Sequence, residues 1–202
     1  MNIFPQSDES IRDELLRYLS EKYGREFTAL ALERGYSDYL HCYLKGGDPK
    51  ADNVGVQRIT RDTGVEYKDT YFGIVIREEL ENEVVSICSD IDLPMQAQYD
   101  SISQFFNNIF DSTKNYDDFK RWVENGNPWR FTVTIVIALD DTDKAEAYAN
   151  HIFEQLSEAG FSGLVHVCSL PSEGYAKLTR INLNDLITQY DDQETLFSES
   201  IN

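Results

Sequence analysis

Basic side chains are scarce in this chain of 202 residues, which has 18 Lys and Arg against 36 Asp and Glu and a formal net charge of -18. Proteins that sheath nucleic acid need Lys and Arg to displace counterions from phosphates, so the charge balance argues against nucleic-acid binding. Glycine and proline are also few, at 11 and 5, whereas 41% of the residues are hydrophobic. This composition is typical of a globular chain, and the length is sufficient for a large core.

Long apolar runs and targeting signals are missing as well. The longest strongly apolar stretch, residues 131–139, has about half the length that a membrane-spanning helix requires. The first nine residues contain no basic segment followed by an apolar one, which is the pattern of a secretory signal. We therefore expect no membrane segment and a cytoplasmic location.

Metal-binding and redox motifs are absent too. Cys42, Cys88 and Cys168 are widely spaced, with no C-x-x-C pair among them, and the expectation is three buried, reduced thiols. His166 and Cys168 would project from one face of a strand about 7 Å apart. Ordinary sheet packing explains this pair more simply than a metal site, because no further ligands are evident. We expect neither a metal nor a cofactor.

Apolar spacing predicts helices and strands in the first half of the chain. Residues at spacing four, from Ile11 to Tyr23, predict a helix that Ser7 caps and Gly24 ends. Strands at 27–33, 36–44 and 54–60 are predicted to form an antiparallel meander, closed by a turn at residues 62–64. A second amphipathic helix is predicted over residues 71–89, and a seam between halves at residues 91–95.

The second half reads as a further set of helices and strands. The predicted elements are two short helices with apolar patches at 102–110 and 119–123, a central strand at 131–139, a helix at 143–159, strands at 164–170 and 175–183, and a helix at 184–190. The expected organisation is residues 1–92, residues 93–190 and a polar, fraying tail at 191–202. The predicted fold is α+β, with a mixed, mostly antiparallel sheet flanked by helices, as one compact unit or as two similar α/β halves packed together.

Two acidic groups are the candidates for partner binding. They consist of Glu78, Glu79, Glu81 and Glu83 on the second helix and Asp140, Asp141 and Asp143 after the central strand. Aromatic side chains could supply the buried centre of an interface, and the selected candidates are Tyr39, Tyr43, Trp122 and Trp129, with Tyr36 and Tyr116 also available. The acids also have simpler interpretations, namely solubility and helix capping.

One part of the chain resembles a known module. The segment LLRYLSEKYGREF at residues 15–27, followed by strands and then KDTYFG at residues 68–73, resembles a module of small uncharacterised proteins from Gram-positive bacteria, often associated with mobile elements. The resemblance implies a helix followed by a short antiparallel sheet, and it carries no catalytic motif. In size and acidity the chain is similar to the immunity proteins of polymorphic or contact-dependent toxins.

These observations lead to three functional hypotheses. The leading one is a non-enzymatic acidic binding protein of the immunity or inhibitor type, whose surface neutralises a basic, nuclease-type toxin domain. The alternative is a nucleic-acid mimic or a regulatory adaptor. The third is a Mg²⁺-dependent hydrolase that uses Asp140, Asp141 and Asp143, because hard cations prefer carboxylate oxygens.

Overall fold

The computed structural model describes residues 6–127, 131–190 and 196–201. Its helices are α1 (Asp8–Tyr23), α2 (Tyr71–Val75), α3 (Arg77–Ile87), α4 (Tyr116–Glu124), α5 (Ala145–Glu158), α6 (Ser172–Tyr175) and α7 (Leu183–Tyr190). Its strands are β1 (Phe27–Glu33), β2 (Asp38–Leu44), β3 (Asn53–Arg61), β4 (Gly64–Asp69), β5 (Met95–Tyr99), β6 (Phe131–Ala138), β7 (Gly163–Leu170) and β8 (Leu196–Ile201). The protein is α+β, as the sequence predicts.

The first sheet is an antiparallel meander in the order β1-β2-β3-β4, with α1 packed on one face. Helix α1 begins and ends as predicted, because Ser7 accepts a hydrogen bond from the Ser10 N–H and Gly24 adopts a left-handed φ of 65°. The predicted apolar stripe is buried. The core between helix and sheet contains Ile11, Leu15, Leu19, Tyr23, Leu40, Cys42, Val54 and Val56.

The second sheet has the order β5-β6-β7-β8 and mixed strand directions. Strands β6 and β7 run parallel and are joined through α5, whereas β5 and β8 are antiparallel to their neighbours. The main core of the protein covers one face of this sheet and includes apolar side chains from α3, α4 and α5. On the other face, Leu183 and Leu186 of α7 pack against Val136 and Cys168. Strand β6 is therefore apolar on both faces over part of its length, which confirms its predicted central position.

A buried polar cluster around Asp69 joins the two sheets. The Asp69 carboxylate, with no exposed surface, accepts hydrogen bonds from Lys22 Nζ at 2.6 Å and Tyr23 Oη at 2.8 Å. The Asp69 backbone forms an antiparallel bridge with Phe106, a residue of the main core. Helix α2 makes a second connection, since Tyr71 packs in the core of the first sheet and Phe72 in that of the second.

Three strands of the structure are not predicted by the sequence patterns. The meander has a fourth strand, β4, where the sequence indicated its end at residues 62–64. Strand β5 occupies the end of the predicted seam, and β8 comes from the predicted fraying tail, of which residues 191–195 and 202 lie outside the described residues. All three are edge strands, and each has only five or six residues, which leaves a short pattern to recognise.

Other segments adopt a different conformation from the predicted one. Residues 102–110 form turns rather than a helix, and residues 175–183 form the end of α6 and turns rather than a strand. The predicted helix at 71–89 is divided at Ile76 into α2 and α3, although its apolar stripe is buried as expected. A short 3₁₀ turn, Thr142–Lys144, precedes α5.

The state of the cysteines agrees with the sequence analysis. Cys42, Cys88 and Cys168 are free and buried. Among the described residues, no helix combines the length and the apolar character needed to cross a membrane.

Candidate functional site

Helix α3 separates its apolar and acidic residues onto different faces. Leu80 and Val84 are buried in the main core. Glu79 and Glu83 are one turn apart and exposed, and Glu78 is exposed beside them. Three of the four predicted glutamates of this helix therefore reach the surface.

The exposed side of α3 borders an apolar groove, which we call the α3–α4 groove. Its volume is about 210 Å³. Its residues are Leu80, Glu83, Val84 and Ile87 from α3, Tyr116, Phe119, Lys120, Val123 and Glu124 from α4, and Ala159, Gly160 and Phe161 after α5. The floor is aliphatic and aromatic, whereas the charged residues belong to the rim. A groove of this kind can accept an apolar side chain from another molecule.

Tyr116 and Glu83 form the most acidic part of the rim. Burial raises the pKa of the Tyr116 hydroxyl, and its hydrogen bond to the Glu83 carboxylate and the charge of nearby Glu79 raise the pKa further. Lys120 Nζ lies 3.7 Å from Glu83, 3.9 Å from Asp117 and 5.0 Å from the centre of the Tyr116 ring. The single ammonium group of Lys120 is thus shared between the Glu83 and Asp117 carboxylates, so the net charge of the rim is negative.

Glu81 has an internal role instead. Its side chain is 13% exposed and accepts hydrogen bonds from the Tyr99 N–H at 2.8 Å and from Arg180 at 2.5 Å. This carboxylate fastens α3 to the free edge of β5 and to the segment before α7. The prediction that all four glutamates share one binding face is therefore wrong for Glu81.

Asp140, Asp141 and Asp143 lie away from the groove. They are exposed at the end of β6 and the start of α5, whereas the groove adjoins the other end of that helix. Because α5 has 14 residues, the two ends are about 21 Å apart. The structure does not bring the two predicted acidic groups together.

Two carboxylates of this second acidic group, Asp140 and Asp141, have partners within the chain. Asp140 accepts hydrogen bonds from the Ser172 N–H at 2.8 Å and the Ser172 hydroxyl at 2.7 Å, and these bonds lower its pKa. Asp141 pairs with Lys144 at 2.8 Å, and this hydrogen bond lowers its pKa. Within the part of the chain that the structure describes, no three His, Cys, Asp or Glu side chains are arranged to hold a metal ion.

The predicted aromatic anchors are distributed over several surfaces. Tyr39 and Tyr43 are half-buried on the face of the first sheet opposite α1. The Tyr39 ring packs edge to face on the His41 ring, with 4.5 Å between the ring centres. Trp122 is half-buried against Phe110 beside the main core. Tyr36 is 97% exposed in the turn before β2. Trp129 lies outside the described residues.

Of the six rings that the sequence offered, Tyr116 lines the α3–α4 groove, and Tyr39, Tyr43 and Trp122 do not. Sequence reasoning also missed Lys120 and Glu124 as rim residues and Phe161 as part of the floor. The amphipathic pattern of α4 could have indicated that Lys120 and Glu124 lie at the surface beside the apolar residues of that helix. Phe161 reaches the groove only through the tertiary packing of the segment after α5.

The chain matches no family model, no curated protein and no solved structure.

Proposed function

We propose that this protein binds a basic partner protein through the α3–α4 groove and acts as an inhibitor of the immunity type, which neutralises a nuclease-like toxin domain. The groove itself carries the proposal, because an apolar floor adjoins the carboxylates of Glu79, Glu83 and Glu124. Protein interfaces typically place apolar and aromatic groups at the centre and charged groups at the rim. A partner that presents an apolar side chain flanked by Lys or Arg would complement both parts.

The net charge supports the same kind of partner. A charge of -18 attracts basic proteins over long distances and accelerates their encounter with this surface. Nucleases need basic active sites in order to bind phosphates, so an acidic inhibitor is complementary to them.

The other two hypotheses receive less support from the geometry. A nucleic-acid mimic needs one continuous row of acids, but the glutamates of α3 adjoin the groove beside the end of α5, whereas Asp140, Asp141 and Asp143 lie near its start. A hydrolase at the end of β6 needs free carboxylates, whereas Asp140 and Asp141 are bonded to Ser172 and Lys144.

The test begins with the neighbouring genes, among which the proposal expects one for a secreted protein with a basic C-terminal domain, and that domain is then produced alone. We expect the parent protein to inhibit the nuclease activity of that domain, with an association rate that falls as salt concentration rises. The double variant Glu79→Lys/Glu83→Lys should lose at least about tenfold in association rate at low salt, because it reverses the charge of the groove rim.

A matched control separates the groove from the total charge. Glu9 and Asp13 are also exposed, acidic and one turn apart, but they lie on α1. The variant Glu9→Lys/Asp13→Lys changes the net charge by the same amount and should associate almost as fast as the parent. Equal losses of association rate in both variants would show that only the net charge matters and would contradict the proposal that the partner binds at the groove. Absence of nuclease inhibition by the folded parent would contradict the proposed function.

A further inference from the structure

A polar cleft lies where the two sheets meet, on the face of the second sheet that is opposite the main core. Its volume is about 400 Å³. Its floor is a row of side chains in register across neighbouring strands, in which Gln98 pairs with Thr134, and Thr134 with His166. Neighbouring strands are about 4.8 Å apart, so the row presents closely spaced hydrogen-bonding groups. Helix α7 covers the adjacent apolar row and leaves this one open.

The buried polar groups of the cleft belong to Gln98 and Asn53. Gln98 is 9% exposed, and its side-chain amide borders the cleft. The buried Oδ1 of Asn53 has no hydrogen-bond partner in the part of the chain that the structure describes. Buried polar groups in folded proteins almost always have partners, because an unsatisfied one destabilises the fold. The cleft therefore presents donors and acceptors that suit a hydrogen-bonding ligand.

His166 adds a neutral group that can also donate or accept. Its Nδ1 lies 2.7 Å from the Ser198 hydroxyl, which leaves Nε2 for a ligand. Burial lowers the pKa of His166, so the ring is neutral near pH 7. Thr132 and Thr134 contribute hydroxyl groups from the same face of β6.

The charges of the cleft cancel. Lys50 faces the cleft without an ion pair in the described structure, and Asp100 is the one carboxylate among the lining residues. Arg180 is already paired with Glu81. A cationic ligand would find no free cluster of acids here, and an anionic ligand would be repelled by the charge of the whole protein.

We propose that this cleft binds a small uncharged molecule with several hydroxyl groups, either a free sugar or the ribose of a nucleoside. Hydroxyl groups both donate and accept hydrogen bonds, as the cleft requires. The volume is within the range of small-molecule sites, and the position at a junction between two packed parts is typical of them.

The test follows the backbone amide signals of residues 98, 134 and 166 by NMR while single probes are added to the full chain. The probes are glucose, ribose, adenosine, uridine and glucose 6-phosphate. We expect saturable shifts with at least one neutral probe. Saturation by the monosaccharides would identify a sugar site, and saturation by the nucleosides alone would identify a nucleoside site.

Two variants remove single groups from the cleft. Thr134→Val deletes one hydroxyl at almost constant volume, and Gln98→Met deletes the amide, and each should weaken binding about tenfold. Thr28→Val, on a half-buried strand position of the first sheet, is the matched control and should bind like the parent.

The opposite results would overturn the proposal. These are a lack of saturation by every neutral probe, tighter binding of glucose 6-phosphate than of glucose, and equal loss of binding in Thr28→Val and Thr134→Val.

Discussion

Replacing Asp69 by asparagine removes a negative charge from a site that water does not reach, and we expect it to lower the free energy of unfolding by about 3–5 kcal/mol. Four donors converge on this carboxylate, namely Lys22 Nζ, Tyr18 Oη, Tyr23 Oη and the Tyr71 N–H. An asparagine would place its own NH₂ group against one of these donors.

The magnitude follows mainly from the ammonium group that loses its counterion. The side chain of Lys22 is 7% exposed, and burial lowers its pKa while Asp69 opposes that effect. Removing one member of a buried ion pair leaves the other charge without compensation, which is the costly case for such pairs. Because whole domains are stable by only about 5–15 kcal/mol, the variant should lose a large share of its stability.

The assay is urea unfolding at pH 7, followed by circular dichroism. The double variant Lys22→Met/Asp69→Asn should be less destabilised than the sum of the single variants by about 1–3 kcal/mol, because it removes both charges together. Asp62→Asn, at an exposed turn position, is the control and should change stability by less than about 0.5 kcal/mol. A loss below about 1 kcal/mol in Asp69→Asn would refute the argument.

Two further predictions concern protonation and thiol reactivity. Burial raises the pKa of Glu14, but hydrogen bonds from Tyr67 and Arg58 outweigh it, so the folded-state pKa lies below the ordinary value. The stability that Glu14 contributes is fully present above its ordinary pKa and is lost as the pH falls through its lowered, folded-state pKa. The urea midpoint should therefore fall less steeply between about pH 7 and pH 3 in Glu14→Gln than in the parent. An equal fall of the midpoint in both proteins would contradict this prediction. Burial raises the pKa of Cys42 to about 12 and that of Cys88 to about 11, so a thiol reagent at about pH 8 should label no cysteine in the folded protein and all three in urea. Rapid labelling of the folded protein would show that a cysteine is accessible.

Local signals determined which elements the sequence could predict. The ends of α1 depend on Ser7 and Gly24, which act within one turn of the helix, and both were predicted correctly. The apolar residues of β6 also identify it as central without knowledge of its neighbours. The strands β5 and β8 were missed because their extended conformation depends on pairing with a partner strand that is distant in the chain, whereas β4 follows β3 through a two-residue turn that was taken for the end of the meander.

The segment at residues 102–110 shows why apolar spacing alone was misleading. Phe106 and Phe110 have the spacing of one helix face and are indeed buried, but Ile109 is half exposed. The backbone of Phe106 bonds to that of Asp69 instead of forming a helix. Asn107 and Asn108 between the phenylalanines favour turns, and this competing signal decided the conformation.

Helix geometry explains which part of the acidic site was predictable. Positions 79 and 83 are one turn apart and share a row, whereas position 81 lies about 200° around the helix from position 79. The period separates Glu81 from Glu79 but does not show which of them is buried, because each lies about 100° from Leu80. The burial of Glu81 depends on β5 and on Arg180, which is 99 residues away in the chain.

The polar cleft depends still more on long-range register. Alternation places Thr132 and Thr134 on the face of β6 opposite the main core, and the sequence shows that much. Whether a polar face of this kind meets solvent, a helix or other polar groups depends on which strands flank it. Here β6 pairs with β5 in the antiparallel direction and with β7 in the parallel direction, and these pairings place Gln98 and His166 on either side of Thr134. A shift by one residue in either pairing would turn the Gln98 or the His166 side chain to the other face of the sheet. The total charge of the chain contains no information about such a row, since a strongly acidic protein can still contain a cleft whose charges cancel.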